Sequence, residues 1–418
     1  KVTGAAKYAY DRRPEGLIYA KLLRSPHARA KVKRIDLSKA RALPGVLYTE
    51  AYEGADVRFA GQHVAGVAAE SEEELDDALA AIEVEYEVLP PVTTVEAASR
   101  DGAPSVARGP NVRDPNTSGD KDAVAKAHAE ADVVVEAEYR TQVQTHSCLE
   151  THGCVCEWKG DELTVYATTQ GTFSVRQQMA QSLSIPQSKV TVVTEHMGGG
   201  FGSKFGADAW DAFCARAAKA TERPCRLMLD RREEHMVAGN RPNSIQSCRF
   251  GARKDGTLLG GEVRSFGTGG VGGGAGVYNP GIYAFTATYS EQSDVLTNAG
   301  SARAFRAPRH PQGIFALEGM MDELAEALGM DPVEFRLKND RHPVRQAQWK
   351  LGSKEIGWSA RKPTGSQTGR LRRGFGCAAA RWPNNGRPGT EIRTRIGKDG
   401  SVLVVNGSQD LGTCLLYT

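Results

Sequence analysis

Over 418 residues, 53 Lys and Arg stand against 50 Asp and Glu, a formal charge of +3, too small to point to nucleic acid or a membrane surface. The length suits two or three domains, each with its own core, and neither a membrane-length apolar run nor an opening signal peptide is present. Glycine is in excess, at 46 residues against a usual ~7%, and the chain opens at Lys1 and stops at Thr418 in mid-pattern, so a fragment cut at both ends is expected.

In chain order, 17–23 and 57–69 read as strands. Ser71 followed by Glu74 forms a capping box that opens a helix with Leu75, Ala78, Leu79 and Ile82 on one face. Residues 82–88 alternate as a strand until Pro90-Pro91 stops it. The stretch 92–121 is rich in Pro, Gly, Ser and Asn, lacks periodicity, and reads as a linker. Strands follow at 132–141, 163–168 and 190–194, with helices at 173–183 and 207–220. The clearest helix spans 312–328, where Ile314, Leu317, Met321, Leu324 and Leu328 recur at three and four. Short strands at 374–381 and 401–405 open a further domain.

The eight cysteines show no zinc or iron–sulfur spacing, so such clusters are not expected in this chain, and a reducing compartment suits them. Cys154-Val155-Cys156 points both thiols to one face of a strand. Buried small apolar residues are the expected reading, and a metal or redox pair is the alternative.

The strongest local signal is a strand followed by Gly198-Gly199-Gly200-Phe201-Gly202-Ser203-Lys204 and then a helix. Consecutive glycines let backbone N–H groups converge on an oxygen-rich ligand; a tight structural turn is the alternative. The loop is not a Walker A motif, because Ser203 replaces its second glycine. Gly267 to Gly272 matches G-x-G-x-x-G, but no helix pattern follows, which argues against a nicotinamide site. His146, Glu150 and His152 could form a metal or acid–base trio, though polar residues on a strand and its turn are the simpler expectation.

Four stretches together resemble one family, the molybdenum-cofactor subunit of the xanthine dehydrogenase and aldehyde oxidase group. They are Lys1-Val2-Thr3-Gly4 with Leu22-Leu23-Arg24-Ser25-Pro26-His27-Ala28; the glycine loop; Ala304-Phe305-Arg306-Ala307-Pro308 leading into Met321-Asp322-Glu323-Leu324-Ala325; and Gly407-Ser408-Gln409-Asp410-Leu411-Gly412-Thr413. The resemblance implies an α+β and α/β multidomain protein, with an α/β-hammerhead domain at 1–91 and the linker at 92–121. A first molybdopterin-binding α/β domain would occupy 122–365 and the beginning of a second 366–413. It also implies that Gln170 hydrogen-bonds an oxo ligand of molybdenum and that Gly199, Gly200, Phe201 and Gly202 form the loop facing the metal. Arg306 would present its backbone amide from the opposite side, and Gln409, Asp410 and Gly412 would contact the pterin. The implied cofactor is molybdopterin, in its cytosine dinucleotide form, with molybdenum. The implied partners are an Fe–S small subunit carrying [2Fe–2S] and an FAD medium subunit, in the cytoplasm or in the periplasm by way of a partner's signal.

Departures narrow the substrate. Purine-oxidising members carry a glutamate after the glycine-loop lysine, where Phe205 stands here. They also use an arginine upstream of the Ala304 loop, and 278–301 contains none. Carbon monoxide dehydrogenases place a cysteine in that loop, and 304–309 has none. An aldehyde or N-heteroaromatic substrate remains. The family's general base, a glutamate in a Gly-Glu motif near the end of a longer subunit, is expected to be missing, since Gly261-Glu262 lies too early. An inactive, cofactor-free fragment is therefore the alternative reading. Residues 414–418 are expected to be a sequencing-adapter artefact.

Overall fold

A computed structural model describes residues 3–274, 276–279, 281–383, 389 and 391–405. Gln409, Asp410, Gly412 and the 414–418 tail lie outside the described residues.

A seven-stranded mixed sheet draws on both halves of the chain. Its order is Val190–Val193, Glu162–Ala167, Gly153–Lys159, Cys225–Met228, Ile18–Arg24, His63–Ala69 and Val46–Ala51. The parallel pair in its middle sets Ile18 against Cys225 and Tyr19 against Arg226. His63–Ala69 is buried from Val64 onward and Gly153–Lys159 through Cys156, as strands covered on both faces are, whereas Ile18–Arg24 and Glu162–Ala167 alternate. The helix Ala209–Thr221 covers one side, inserting the fully buried Phe213 and Cys214 among Ile18, Leu22, Cys154, Cys156 and Leu227. Gly66 gives Phe213 its room, because a Cβ there would sit 2.4 Å from the ring.

On the other side of the early strands, a three-stranded sheet of Asp56–Val57, Ala30–Asp36 and Glu83–Val88 packs with the helix Glu72–Ala81. The expected capping box is present: the Ser71 hydroxyl accepts the Glu74 N–H and the Glu74 carboxylate accepts the Ser71 N–H. The single strand expected over 57–69 is instead two. The Gln62 side chain accepts the Arg58 N–H at 3.0 Å and donates to the Asp56 carbonyl at 2.9 Å, closing a turn between them.

A five-stranded sheet, ordered Asn116–Gly119, Ala287–Val295, Leu258–Thr268, Ser244–Ala252 and Val133–Thr141, carries the second main core. The periodic helix is His310–Leu328, and it lays Ala316, Leu317, Met320, Met321 and Leu324 on this sheet. Behind it, Arg336 is wholly buried and forms ion pairs with Glu318 at 2.8 Å and Asp322 at 2.7 Å.

Two sequence expectations differ from the structure. The stretch 92–121, read as a linker, is packed: Val92, Val95, Ala98 and Val106 join Val295 and Leu296 in a core cluster, and Asn116–Gly119 pairs with Ala287–Val295. Its turn-rich composition reflects short elements rather than free chain. Residues 374–381 form no strand, because they meet no partner strand among the described residues; Ala379 is buried against the second core instead. Val402–Val405 does form a strand, paired with Arg393–Ile396. Among the described residues, no helix is long and apolar enough to cross a membrane.

Truncating Phe213 to alanine would empty the centre of the first core and should cost about 3–5 kcal/mol. A urea unfolding series with unchanged slope and a lower midpoint would show it; an unmoved midpoint would exclude a central role for this ring.

Candidate cofactor-binding site

Gln170 lies where the chain leaves the strand Glu162–Ala167 and turns into the helix Thr172–Ser182. Its backbone N–H donates to the Lys204 carbonyl at 2.7 Å, an oxygen that also accepts the Thr169 hydroxyl at 2.8 Å. Its side-chain oxygen accepts the Gly202 N–H at 2.7 Å and the Lys204 N–H at 3.4 Å. Two backbone donors at one end fix which end of the amide is oxygen. The Nε2 end donates to no group among the described residues.

The glycine loop follows the strand Val190–Val193 and precedes the helix Ala209–Thr221, the strand–loop–helix order expected from the sequence. Gly199, Phe201 and Gly202 have φ of +98°, +50° and +107°. The N–H groups of Gly199, Gly200 and Phe201 likewise have no partner among the described residues. Successive unpaired amides with alternating backbone handedness form a concavity suited to an oxygen-rich or anionic ligand. Glycine is required at three places, the first being Gly198, where a Cβ would lie 2.4 Å from that of Glu150. A Cβ at Gly200 would lie 2.5 Å from Gln170 Oε1, and one at Gly202 would lie 2.6 Å from the Ala304 carbonyl.

Side chains from other elements hold this loop. Glu150 accepts the Gly198 N–H at 2.7 Å and the Tyr10 N–H at 3.2 Å, while its own N–H donates to the Gly198 carbonyl. Lys204 is only 1% exposed, and its Nζ donates to the carbonyls of Glu150 at 2.7 Å and Thr151 at 3.5 Å. Burial lowers the pKa of this ammonium, with the nearby Glu150 and Glu234 carboxylates opposing the shift. Arg303 donates to the Ser203 carbonyl at 3.1 Å and to Asp208 at 2.8 Å.

The facing loop, 304–309, is strained: Arg306, Ala307 and Arg309 all have positive φ although none is glycine. Three contacts impose that shape. The Arg306 N–H donates to the Phe201 carbonyl at 2.7 Å, His146 Nε2 contacts the Ala304 carbonyl at 2.7 Å, and the buried Arg241 donates to the Arg306 carbonyl at 2.9 Å. Burial depresses the His146 pKa, keeping the ring neutral, with Nε2 as the donor. The Arg306 amide therefore ties the two loops together, and its hydrogen is already given to Phe201 and not presented to a ligand as the resemblance implies.

The expected site residues Gln170, Gly199, Gly200, Phe201, Gly202 and Arg306 thus come together. His146, Glu150 and His152 do not form a trio, since each has its own task. His152 Nδ1 and N–H both meet Glu234 Oε2, at 2.9 and 3.0 Å. Burial pushes the Glu234 carboxyl up, but the bonds from His152 and the charge of Lys204 outweigh it and hold the group at about 2. The roles of Glu150, Lys204, Arg241 and Arg303 as clamps were not anticipated. The run of four consecutive loop residues without functional side chains, Gly198 to Phe201, was the available hint that other segments must supply the fixings. Gly267 to Gly272 ends the strand Leu258–Thr268 and leads into a turn, so no dinucleotide-binding helix follows it.

Residues 107–340 match the family of the molybdopterin cofactor-binding domain, and residues 3–55 match the aldehyde oxidase and xanthine dehydrogenase a/b hammerhead domain. The chain belongs to the xanthine dehydrogenase and aldehyde oxidase family. It is 33% identical to the nicotinate dehydrogenase large molybdopterin subunit of Eubacterium barkeri, over 81% of this chain and 86% of that protein. It is 30% identical to the xanthine dehydrogenase molybdenum-binding subunit of Escherichia coli O157:H7, over 99% of this chain but only 62% of that one. Among solved structures, the aldehyde oxidoreductase of Desulfovibrio desulfuricans superposes with a TM-score of 0.87 at 25% identity, covering 98% of this chain and 52% of that one. The fold is accordingly a hammerhead region joined to molybdopterin-binding α/β structure, and the family's members are molybdenum-dependent oxidoreductases.

Two outcomes test the geometry. A methyl group at position 200 has no room beside Gln170, so Gly200→Ala should displace the loop and lower molybdenum content several-fold in the isolated protein; full metal content would show the loop to be more yielding. Glu234 titrates near 2 when folded and near the ordinary carboxylate value when unfolded. A lowered folded pKa means its contribution to stability is complete above about pH 5 and is lost as pH falls toward 2. Denaturation midpoints between those limits should fall less steeply in Glu234→Gln than in the parent chain; parallel profiles would remove Glu234 from the pH dependence.

Proposed function

We propose that this chain acts as the catalytic, cofactor-binding component of a molybdenum hydroxylase that oxidises an aldehyde or an N-heteroaromatic C–H, with water as the source of oxygen. The observation that carries the reading is Gln170, whose oxygen is locked by two backbone amides while Nε2 remains open beside the three unpaired amides of Gly199 to Phe201. That set of neutral donors fits an oxygen-bearing metal group, because it can hydrogen-bond oxo oxygens without adding charge. Molybdenum held in molybdopterin, in its cytosine dinucleotide form, would supply two-electron oxidation. Gln170, Phe201 and Arg306 would surround the metal, with Gly199, Gly200 and Gly202 allowing close backbone approach. Gln409, Asp410 and Gly412 remain candidates for the pterin.

The substrate class rests on the rim. Phe205 stands exposed directly after Lys204, and Phe173 and Phe201 are also exposed near the same loop. An aromatic rim favours a flat, weakly polar molecule over a purine rich in hydrogen-bonding groups. Among similar proteins, one is a nicotinate dehydrogenase subunit and another a quinoline 2-oxidoreductase of Pseudomonas putida 86, while others are named as xanthine dehydrogenase subunits and a probable hypoxanthine oxidase. Electrons would leave to [2Fe–2S] on a small subunit and to FAD on a medium subunit. In this reading the hammerhead domain spans 1–91, joined through 92–121 to cofactor-binding domains at 122–365 and 366–413.

In the assembled enzyme, Gln170→Glu keeps an oxygen to accept the Gly202 N–H but replaces the Nε2 donor, so it should retain molybdenum yet turn over about 10–100-fold more slowly, matching the loss of one hydrogen bond to a polar centre of ~1–3 kcal/mol. Unchanged turnover at full molybdenum content would overturn the assignment.

A further inference from the structure

The wall formed by 304–309 covers a charge that holding a loop does not require. Arg241 ends the short strand Asn240–Arg241, which pairs with Gln144–Thr145, and only 6% of it is exposed. Its guanidinium donates to the Arg306 carbonyl at 2.9 Å and to Gln312 Oε1 at 3.3 Å, and it lies 4.7 Å from the centre of the Phe305 ring. All three partners are neutral. Arg241 Nε is buried without a partner, and no carboxylate among the described residues pairs with this side chain.

A neutral donor would do the visible work. A glutamine amide can hydrogen-bond the Arg306 carbonyl without the penalty of taking a cation out of water. The other arginines as deeply buried each meet a carboxylate: Arg336 pairs with Glu318 and Asp322, and Arg226 with Glu72. What Arg241 backs instead is the wall that meets the glycine loop, through the Arg306 N–H on the Phe201 carbonyl. On the far side stand more donors without partners among the described residues, the amides of Gly199, Gly200 and Phe201 and the Nε2 end of Gln170. Both walls thus present positive potential toward the space between them.

We propose that Arg241 is a positioning residue whose fixed charge favours the electron-loaded state of the group seated between the two loops, given the cofactor reading of the site. Oxidising a C–H with water breaks that bond and one O–H bond, forms a C–O bond, and releases two protons and two electrons. The electrons rest at the site before they leave for the partner centres. A charge shielded from water acts more strongly over the same distance than an exposed one. Because three contacts already fix Arg241, nothing has to reorganise when the electrons arrive. The site is thereby a stronger acceptor of electrons from its substrate.

The test uses the assembled enzyme, with molybdenum content measured first and the metal's EPR signal then followed across a series of applied potentials. Arg241→Lys keeps the charge and a donor for the Arg306 carbonyl, so its midpoint should stay with the parent. Arg241→Gln keeps a donor and removes the charge; at a fixed potential its ratio of reduced to oxidised metal should be about tenfold lower. Should that variant fail to fold or to load metal, Gln312→Glu leaves the guanidinium in place and sets a carboxylate at the 3.3 Å contact. It should shift the midpoint in the same direction. An unchanged midpoint in Arg241→Gln and Gln312→Glu at full molybdenum content would overturn the proposal and leave the cofactor reading standing. An equal shift in Arg241→Lys would trace the effect to the loop's position and would also overturn it. A parent enzyme without molybdenum would overturn both.

Discussion

The structure turns on how a loop with almost no side chains is held still. Gly198 to Gly202 carries a single side chain, that of Phe201, so it has little with which to fasten itself. The fastening comes from outside: the Glu150 carboxylate on the Gly198 N–H, the Gln170 amide oxygen on the Gly202 N–H, and the Lys204 ammonium on the Glu150 carbonyl. Lys204 shows the cost most plainly. A cation removed from water is unfavourable by several kcal/mol unless its hydrogens find partners, and here two backbone carbonyls supply them. The same lysine ends the loop, so its burial pins the point where the glycines hand over to the helix.

From that knot, contacts extend in two directions through one short helix, Arg231–Val237. Glu234 accepts from His152 and fixes the start of the strand Gly153–Lys159. Its neighbour Glu233 accepts Arg24 Nε at 2.9 Å, in a pair almost removed from water. Arg24 ends the central strand Ile18–Arg24 and opens the Arg24-Ser25-Pro26-His27 run. That motif therefore serves as the junction between the hammerhead region and the cofactor-facing loops. Two adjacent carboxylates with different partners make the junction rigid, because moving the helix toward one pulls it from the other.

Much of this was legible beforehand where a local rule decided the outcome. The Ser71 and Glu74 capping box, the 310–328 helix and the strand–glycine–helix order each follow from spacing within a few residues. The partners of the glycine loop were not legible, because they lie 32 to 105 residues away in pairs such as Gln170 with Gly202 and Phe201 with Arg306. Glu150 and His152 had been noticed as polar residues on a turn, yet nothing in their spacing told which backbone groups they would meet. Residues 92–121 misled for a different reason. Proline and glycine mark where elements break, and a chain of very short elements is punctuated as densely as a free linker.

The strained loop at 304–309 shows how much holding these clamps do. Three non-glycine departures into positive φ within four residues each cost on the order of 1 kcal/mol, and a loop left to itself would relax. Arg241, His146 and Phe201 oppose that relaxation from three separate elements. Arg241 is the least expected of them, a buried cation whose described partners are a carbonyl, the Gln312 amide oxygen and the face of Phe305. Burial without a carboxylate partner lowers its pKa, so its placement has an energetic cost. That expense is intelligible if the strained loop must meet the glycine loop at a set distance, with the Arg306 N–H on the Phe201 carbonyl as the measure of the gap. Both walls are thereby in place without a ligand, so in the proposed reading one seated against Gln170 would spend none of its binding energy on ordering them.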